Sequence, residues 1–240
     1  MKIYNVGNRV VNTYVYPTRA GYVMVDTGYE HRFSAVARSL KKQGIALSDI
    51  MYVFLTHAHD DHAGFLNELL EKCPHVKVIA SDKAIPTLLR GQNSFVGGCS
   101  GIGALIFCKF MGLFGKGRHL FPPVDRRHLD RFIEVSPQTQ KDAGALLEGK
   151  ILFTPGHTSD SISLKIDDIV FCGDAAMNGI PSFRRITIWI GDKTQFQTSW
   201  DTLIAEHARS VYPAHGAPFD PRDLEKYRRQ IDKVKLYALK

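Results

Sequence analysis

Thr56-His57-Ala58-His59-Asp60-Asp61-His62 puts three histidines and two aspartates into seven residues. Imidazole and carboxylate are the usual donors to zinc-like ions. In an extended segment, side chains two residues apart face the same way, so His57 and His59 can bind one ion together. Asp61 and His62 come where the chain turns, are aimed differently, and suit a second ion beside the first. A catalytic zinc takes three protein ligands and keeps one position open, so each ion still lacks a ligand. The rest of the chain offers His157 in TPGHT, Asp174 in CGDA and His215 in PAHG, each at the end of an apolar run. One further histidine per ion and an aspartate between them would complete a two-metal hydrolytic site. In such a site, ions roughly 3.5–4 Å apart share a hydroxide.

Those side chains need strands to carry them. Ile50 to Leu55 reads as a buried strand that stops at the histidine cluster, and Phe65, Leu66, Leu69 and Leu70 predict a helix after it. Gly21 to Val25 is a second strand, ending in Asp26-Thr27-Gly28, where Asp26 can build a turn. Phe33, Val36, Ala37 and Leu40 have helical spacing, and Gly44 closes that helix. Val76 to Ala80 is a further strand. Strand, helix, strand, helix, strand is an α/β pattern. The second half echoes the first: one apolar run ends at His157 and another at Asp174, as earlier runs end at His57 and Asp26. Val211 to Pro213 then leads to His215. Asp220-Pro221 predicts a helix start, with Leu224, Tyr227, Ile231 and Val234 on one face.

The set HAHDDH, with VDTG before it and TPGHT, GD and AHG after it in that order, resembles the metallo-β-lactamase superfamily, in its glyoxalase II and lactonase-like branch. The motifs run from Asp26 to His215. The resemblance implies an α/β fold, an αββα sandwich of two mixed β-sheets with helices on both outer faces. It implies His57, His59 and His157 on a first divalent ion, Asp61, His62 and His215 on a second, and Asp174 bridging them. It also implies that Asp26 supports the site from behind. All seven ligands are nitrogen or oxygen donors, which suits zinc best; iron and manganese also fit. The expected activity is that of a metal-dependent hydrolase: a metal-bridging hydroxide attacks an ester, thioester, lactone, amide or phosphodiester, and Asp61 orients or deprotonates it. Asp60 is expected to be solvated. His31, His75, His119, His128 and His207 fall outside the pattern.

Other function classes compete. The superfamily includes iron-dependent, persulfide-type oxygenases and diiron flavoproteins. The latter have a glutamate where this chain has His59, and they carry a flavin domain. A nucleic-acid phosphodiesterase is the reading that the net charge of +7 invites, but family nucleases usually add a clamp domain, so nucleic acid is not the expected partner. A catalytically silent metal protein is the third alternative, and the complete ligand set argues against it. Gly97 to Gly103 fits GxxxGxG, yet no good strand precedes it, which argues against a dinucleotide site. Some lactonases of the superfamily have a tyrosine three residues after the bridging aspartate, where this chain has Met177. Asp160 stands where many relatives have glycine. Glyoxalase II relatives add a C-terminal helical region, and the single helix expected after His215 speaks against glutathione thioesters.

The 240 residues, 44% hydrophobic, suffice for a single domain from 1 to 240. The N-terminal stretch lacks the pattern of a secretory signal, and no apolar run reaches 18 residues. Four cysteines without CxxC spacing read as thiols in a reducing compartment, so a cytoplasmic protein is expected; a Cys99–Cys108 disulfide is the alternative. Residues 91–131 interrupt the rhythm as an apolar and basic insertion. Ile102 to Phe114 is apolar nearly all round, so something must cover it. One reading is a lid in which Leu105, Phe110, Phe114 and Arg118 shape a pocket for a small-molecule substrate with an apolar tail and an anionic head. A homodimer contact and a membrane-surface contact are the other two.

Overall fold

The structure is a computed structural model and describes residues 1–113 and 116–239. In chain order the strands are β1 (Tyr4–Asn5), β2 (Tyr14–Thr18), β3 (Gly21–Val25), β4 (Ile50–Phe54), β5 (Lys77–Ser81), β6 (Gly98–Cys99), β7 (Phe132–Val135), β8 (Lys150–Phe153), β9 (Ile162–Ile166), β10 (Ile169–Gly173), β11 (Trp189–Ile190) and β12 (Ser210–Pro213). The α-helices are α1 (Phe33–Lys42), α2 (Leu66–Lys72), α3 (Ile85–Arg90), α4 (Ile102–Leu113), α5 (Gln140–Leu146), α6 (Lys193–Ala205) and α7 (Arg222–Tyr227). They fall into two compact units, one of residues 1–93 and 120–150, the other of residues 94–119 and 151–240.

The first unit is built on a six-stranded mixed sheet in the order β1-β2-β3-β4-β5-β7. β1, β2 and β3 pair antiparallel, and β3, β4, β5 and β7 run parallel. β4 has parallel neighbours on both sides, and its apolar composition follows from that burial. α1 buries Phe33, Val36 and Leu40 of the predicted stripe and leaves Ala37 half-buried, and its chain turns away at Gly44 with a φ of 76°. Leu66, Leu69 and Leu70 of α2 join Met24, Val53 and Val78 in the core of this unit. Each such side chain contributes roughly 1.5–3 kcal/mol by leaving water.

The second unit has a four-stranded sheet, β12-β10-β9-β8, and a two-stranded ribbon of β11 and β6. β10 pairs antiparallel with β9 and parallel with β12. Phe196, Trp200 and Leu203 of α6 pack with Val170, Cys172 and Val211. The helix predicted after Pro221 is α-helical only to Tyr227 and continues as a 3-10 helix from Arg228 to Lys233. Leu224 and Ile231 are still buried as their spacing required.

The 91–131 segment does not behave as one body. Residues 120–131 belong to the first unit, where Phe121 and Val124 are buried and their backbone N–H groups donate to Gly91 and Leu88. Residues 94–119 belong to the second, anchored by the pairing of β6 with β11. α4 takes up Ile102–Leu113 of the apolar run. All four cysteines are free thiols. Burial raises the Cys108 thiol to about 12, which holds it protonated beside Cys99. Among the described residues, no helix is long and apolar enough to cross a membrane.

Candidate functional site

Parallel pairing explains why Asp26 and the histidine cluster meet. β3 and β4 run side by side with Val25 opposite Phe54, so both strands end at one edge of the sheet. There the Asp26 N–H donates to the Phe54 carbonyl (3.0 Å). Asp26 adopts a φ of 58°, in the left-handed region, which aspartate tolerates better than most residues. The His62 carbonyl accepts from the N–H of Thr27 (2.7 Å) and from the Thr27 hydroxyl (2.8 Å). The N–H groups of His62 and Ala63 both donate to the His59 carbonyl, closing a turn. Gly64 is needed under this turn, because a Cβ there would lie 2.3 Å from the Glu30 nitrogen and 2.4 Å from the Asp60 carbonyl oxygen.

The turn gathers the predicted side chains. The rings of His57 and His59 have centroids 4.6 Å apart, and those of His57 and His62 are 3.9 Å apart. All three histidines are buried. Asp61 Oδ1 lies 3.6 Å from His62 Nε2. Asp26, also buried, sets the tautomers: its Oδ2 accepts from His62 Nδ1 (2.8 Å) and from the Thr56 hydroxyl (2.9 Å), and its Oδ1 accepts from the Thr56 N–H (2.8 Å). With the Thr56 hydroxyl hydrogen spent on Asp26, its oxygen accepts from His57 Nδ1 (3.1 Å). His57 and His62 then both carry their proton on Nδ1, leaving Nε2 as the lone-pair donor a metal requires.

Two features of this loop were not legible in the sequence. Thr56 acts as a relay between Asp26 and His57, although nothing in a lone threonine announces it. Asp60 is not simply solvated: its N–H donates to Asn93 Oδ1 (2.8 Å), and its carboxylate accepts from Asn93 Nδ2 (2.7 Å). Asn93 is 33 residues away, so only the tertiary structure pairs them.

The second unit repeats the edge arrangement. β10 and β12 are parallel with Gly173 opposite Pro213, so Asp174 and His215 emerge together. The Ala214 N–H donates to the Gly173 carbonyl (3.0 Å) and the Asn178 N–H to that of His215 (2.8 Å). His157 follows β8 and donates from Nδ1 to the Trp189 carbonyl (2.8 Å), which again leaves Nε2 as the lone-pair nitrogen. Gly156 has a φ of 131° and its Cα faces the α6 backbone so closely that a Cβ would sit 2.3 Å from Phe196. The Asp174 carboxylate lies between the two histidines: Oδ2 is 3.7 Å from His157 Nε2 and Oδ1 is 3.6 Å from His215 Nε2. Cys172 is a buried strand cysteine. Asp160, in the loop after His157, is buried too, as is Met177.

The first unit thus carries four of the predicted ligands and the second carries three. These seven side chains are candidate metal ligands on grounds of donor chemistry, and within each unit they cluster beside the ends of parallel strands. Their imidazoles and carboxylates match the donor set of zinc and of other divalent first-row ions. Of the residues expected to form a lid, Leu105 and Phe110 lie on α4, the first half-buried and the second exposed, Arg118 is exposed, and Phe114 lies outside the described residues.

The model of the metallo-β-lactamase superfamily matches residues 6–236. The chain is 26% identical over 222 residues to the metallo-β-lactamase fold-containing protein ST1585 of Sulfurisphaera tokodaii, covering 87% of this chain and 74% of that protein. The solved structure of ST1585 superposes with a TM-score of 0.65 at 22% identity, over 95% of this chain and 85% of that one. The β-lactamase-like protein 2 homolog of Caenorhabditis elegans is 26% identical over 213 residues, 87% of this chain but only 57% of that protein. A metallo-β-lactamase from Cronobacter sakazakii, a HARLDQ motif mutant, superposes with a TM-score of 0.66 at 20% identity, over 96% of this chain and 91% of that one. The fold, mixed sheets with helices, is theirs, and the chain belongs to the metallo-β-lactamase superfamily.

Proposed function

We propose that this chain is a dinuclear metal-dependent hydrolase of small molecules. The observation that carries the reading is the Asp174 carboxylate, which turns one oxygen toward His157 and the other toward His215, the disposition of a bridging ligand. His57, His59 and His157 would hold one divalent ion and Asp61, His62 and His215 the other, with Asp174 shared. The donor set favours zinc, with iron or manganese as the other fits. When bound, such a pair supplies Lewis acidity and a hydroxide at neutral pH.

The chain's own residues do the rest. Asp26 and Thr56 hold His57 and His62 in the ligating tautomer. Asp61, partly exposed, orients the attacking water and accepts its proton. The substrate centre is an ester, thioester, lactone, amide or phosphodiester. Buried Met177 stands where some lactonases have tyrosine, so it offers no hydroxyl to polarise a lactone. Thiol cysteines suit a cytoplasmic setting.

The test is metal quantification on protein purified without chelators, followed by a panel of thioesters, lactones, aryl esters and phosphodiesters. Two ions per chain, and loss of most metal and of hydrolysis in Asp174→Ala, are expected. One redox-active iron per chain, with activity intact in His62→Ala, would overturn the reading in favour of an oxygenase.

A further inference from the structure

Three segments of the second unit meet at one place and share an unusual charge pattern. Ser100 donates to the Ile188 carbonyl, and Cys99 and Tyr237 exchange both of their backbone hydrogen bonds. These bonds tie the base of α4 to the loop before β11 and to the C-terminal stretch. From Ser94 to His119 the sequence has no acidic residue; it carries Lys109, Lys116 and Arg118. Between Asp174 and Asp192 there is again none, and Arg184 and Arg185 are present. After Asp232 there is none, and Lys233 and Lys235 are present.

The same three segments expose large apolar side chains. Ile102, Ile106, Phe110 and Leu113 recur at helical spacing along α4 and are each more than half exposed, Leu113 at 85%. Of the 12 residues of α4 only Ala104 is buried. Ile180 is 98% exposed and Phe183 is 70% exposed. A cavity of about 420 Å³ opens among the segments, with Ala104, Phe183 and Ile186 in its apolar wall and Arg184, Lys233 and Lys235 at its edge. Arg184 is bound to a neutral partner, Gln230 (2.6 Å). Among the described residues no ion pair engages Lys109, Lys233 or Lys235. The nearby Asp232 is held by Gln197 (2.6 Å) and by Arg228 (3.5 Å).

We propose that α4, the Ile180–Phe183 loop and the Lys233–Lys235 stretch form a docking face for an anionic phospholipid bilayer. The bilayer supplies what this face lacks, an apolar medium beneath a sheet of negative charge. α4 is roughly 18 Å long, well short of the roughly 30 Å hydrocarbon core, so it lies in the interface and does not span. Its exposed stripe enters the acyl boundary while the lysines and Arg184 meet lipid phosphates. A second copy of this chain is the rival occupant. A two-fold contact would set the cations of one copy against the same cations of the other, with no carboxylate in these segments to pair them. The inference stands on this face alone and does not depend on the hydrolase reading.

The experiment is co-sedimentation of the full chain with vesicles of phosphatidylcholine alone and of phosphatidylcholine with about 30% phosphatidylglycerol. Partitioning onto the anionic vesicles should be on the order of tenfold stronger and should fall severalfold in high salt. Ile106→Glu/Leu113→Glu should abolish it, and Lys233→Glu/Lys235→Glu should remove most of the preference for anionic lipid. Both variants change exposed positions, so their melting temperatures should match the parent's; if the first melts early, the second and the parent's lipid preference decide. Equal binding to both vesicle types, or none to either, overturns the proposal. So does a dimer in sedimentation velocity that Ile106→Glu/Leu113→Glu converts to monomer while the parent ignores vesicles.

Discussion

Asp26 accepts a hydrogen bond from His62 Nδ1 at 2.8 Å, with both side chains buried. The carboxylate therefore decides which nitrogen of His62 offers a lone pair. Through Thr56 the same carboxylate decides it for His57 as well. Replacing Asp26 with alanine should lower metal affinity about 10–100-fold, the usual cost of losing an outer partner of a ligating histidine. Chelator competition, read by metal content after dialysis, checks this. Metal retention equal to the parent's would show that the tautomers are set elsewhere.

Asp61→Asn keeps the shape of the side chain and removes its capacity to take a proton. Turnover should fall on the order of 10²–10⁴-fold with the melting temperature nearly unchanged. The parent's rate should climb through roughly neutral pH as the attacking water ionises. A profile level from pH 5 to 9 speaks against a hydroxide nucleophile.

Asn93→Ala removes both hydrogen bonds that clasp Asp60. A buried partner lost in this way costs about 1–3 kcal/mol, which in a chain of this size lowers the melting temperature by roughly 2–12 °C. The loosened turn carries His59 and His62, so metal content after dialysis should drop too. Asn93→Asp retains an acceptor for the Asp60 N–H but sets two carboxylates together, and it should be worse than alanine at neutral pH.

His128 gives a pH signature of its own. Burial, then the Arg131 and Arg127 charges, push its pKa below the ordinary 6.5. Arg131 donates to its Nδ1 at 2.6 Å, which requires the neutral ring. The unfolded chain thus binds a proton below about pH 6.5 that the folded chain refuses, so this contribution to stability is complete above that pH and is lost as the pH falls. The difference in melting temperature between pH 7.5 and pH 5.5 should be smaller in His128→Gln than in the parent. An unchanged difference would assign the acid sensitivity to other groups.

The elements and the chemistry were legible in different ways. Ile50 to Phe54 and Ile169 to Gly173 are apolar, rich in β-branched residues and stopped by polar ones, so the strands and their ends could be read locally. HAHDDH was legible because metal ligation constrains residue type and spacing within a few consecutive residues. The order of the remaining motifs pointed to the family, and the family to the fold. Parallel pairing of β3 with β4 and of β10 with β12 was not legible, since register depends on contacts between distant segments. Those two pairings place Asp26 behind His62 and Asp174 beside His215. Thr56 as a relay, Asn93 as the partner of Asp60, and the Trp189 carbonyl as the anchor of His157 were equally hidden, because a hydrogen bond between groups 30 residues apart leaves no periodicity. The division of residues 91–131 between two units was hidden for the same reason: Phe121 and Ile102 are both apolar, and only packing decided that one is buried and the other exposed.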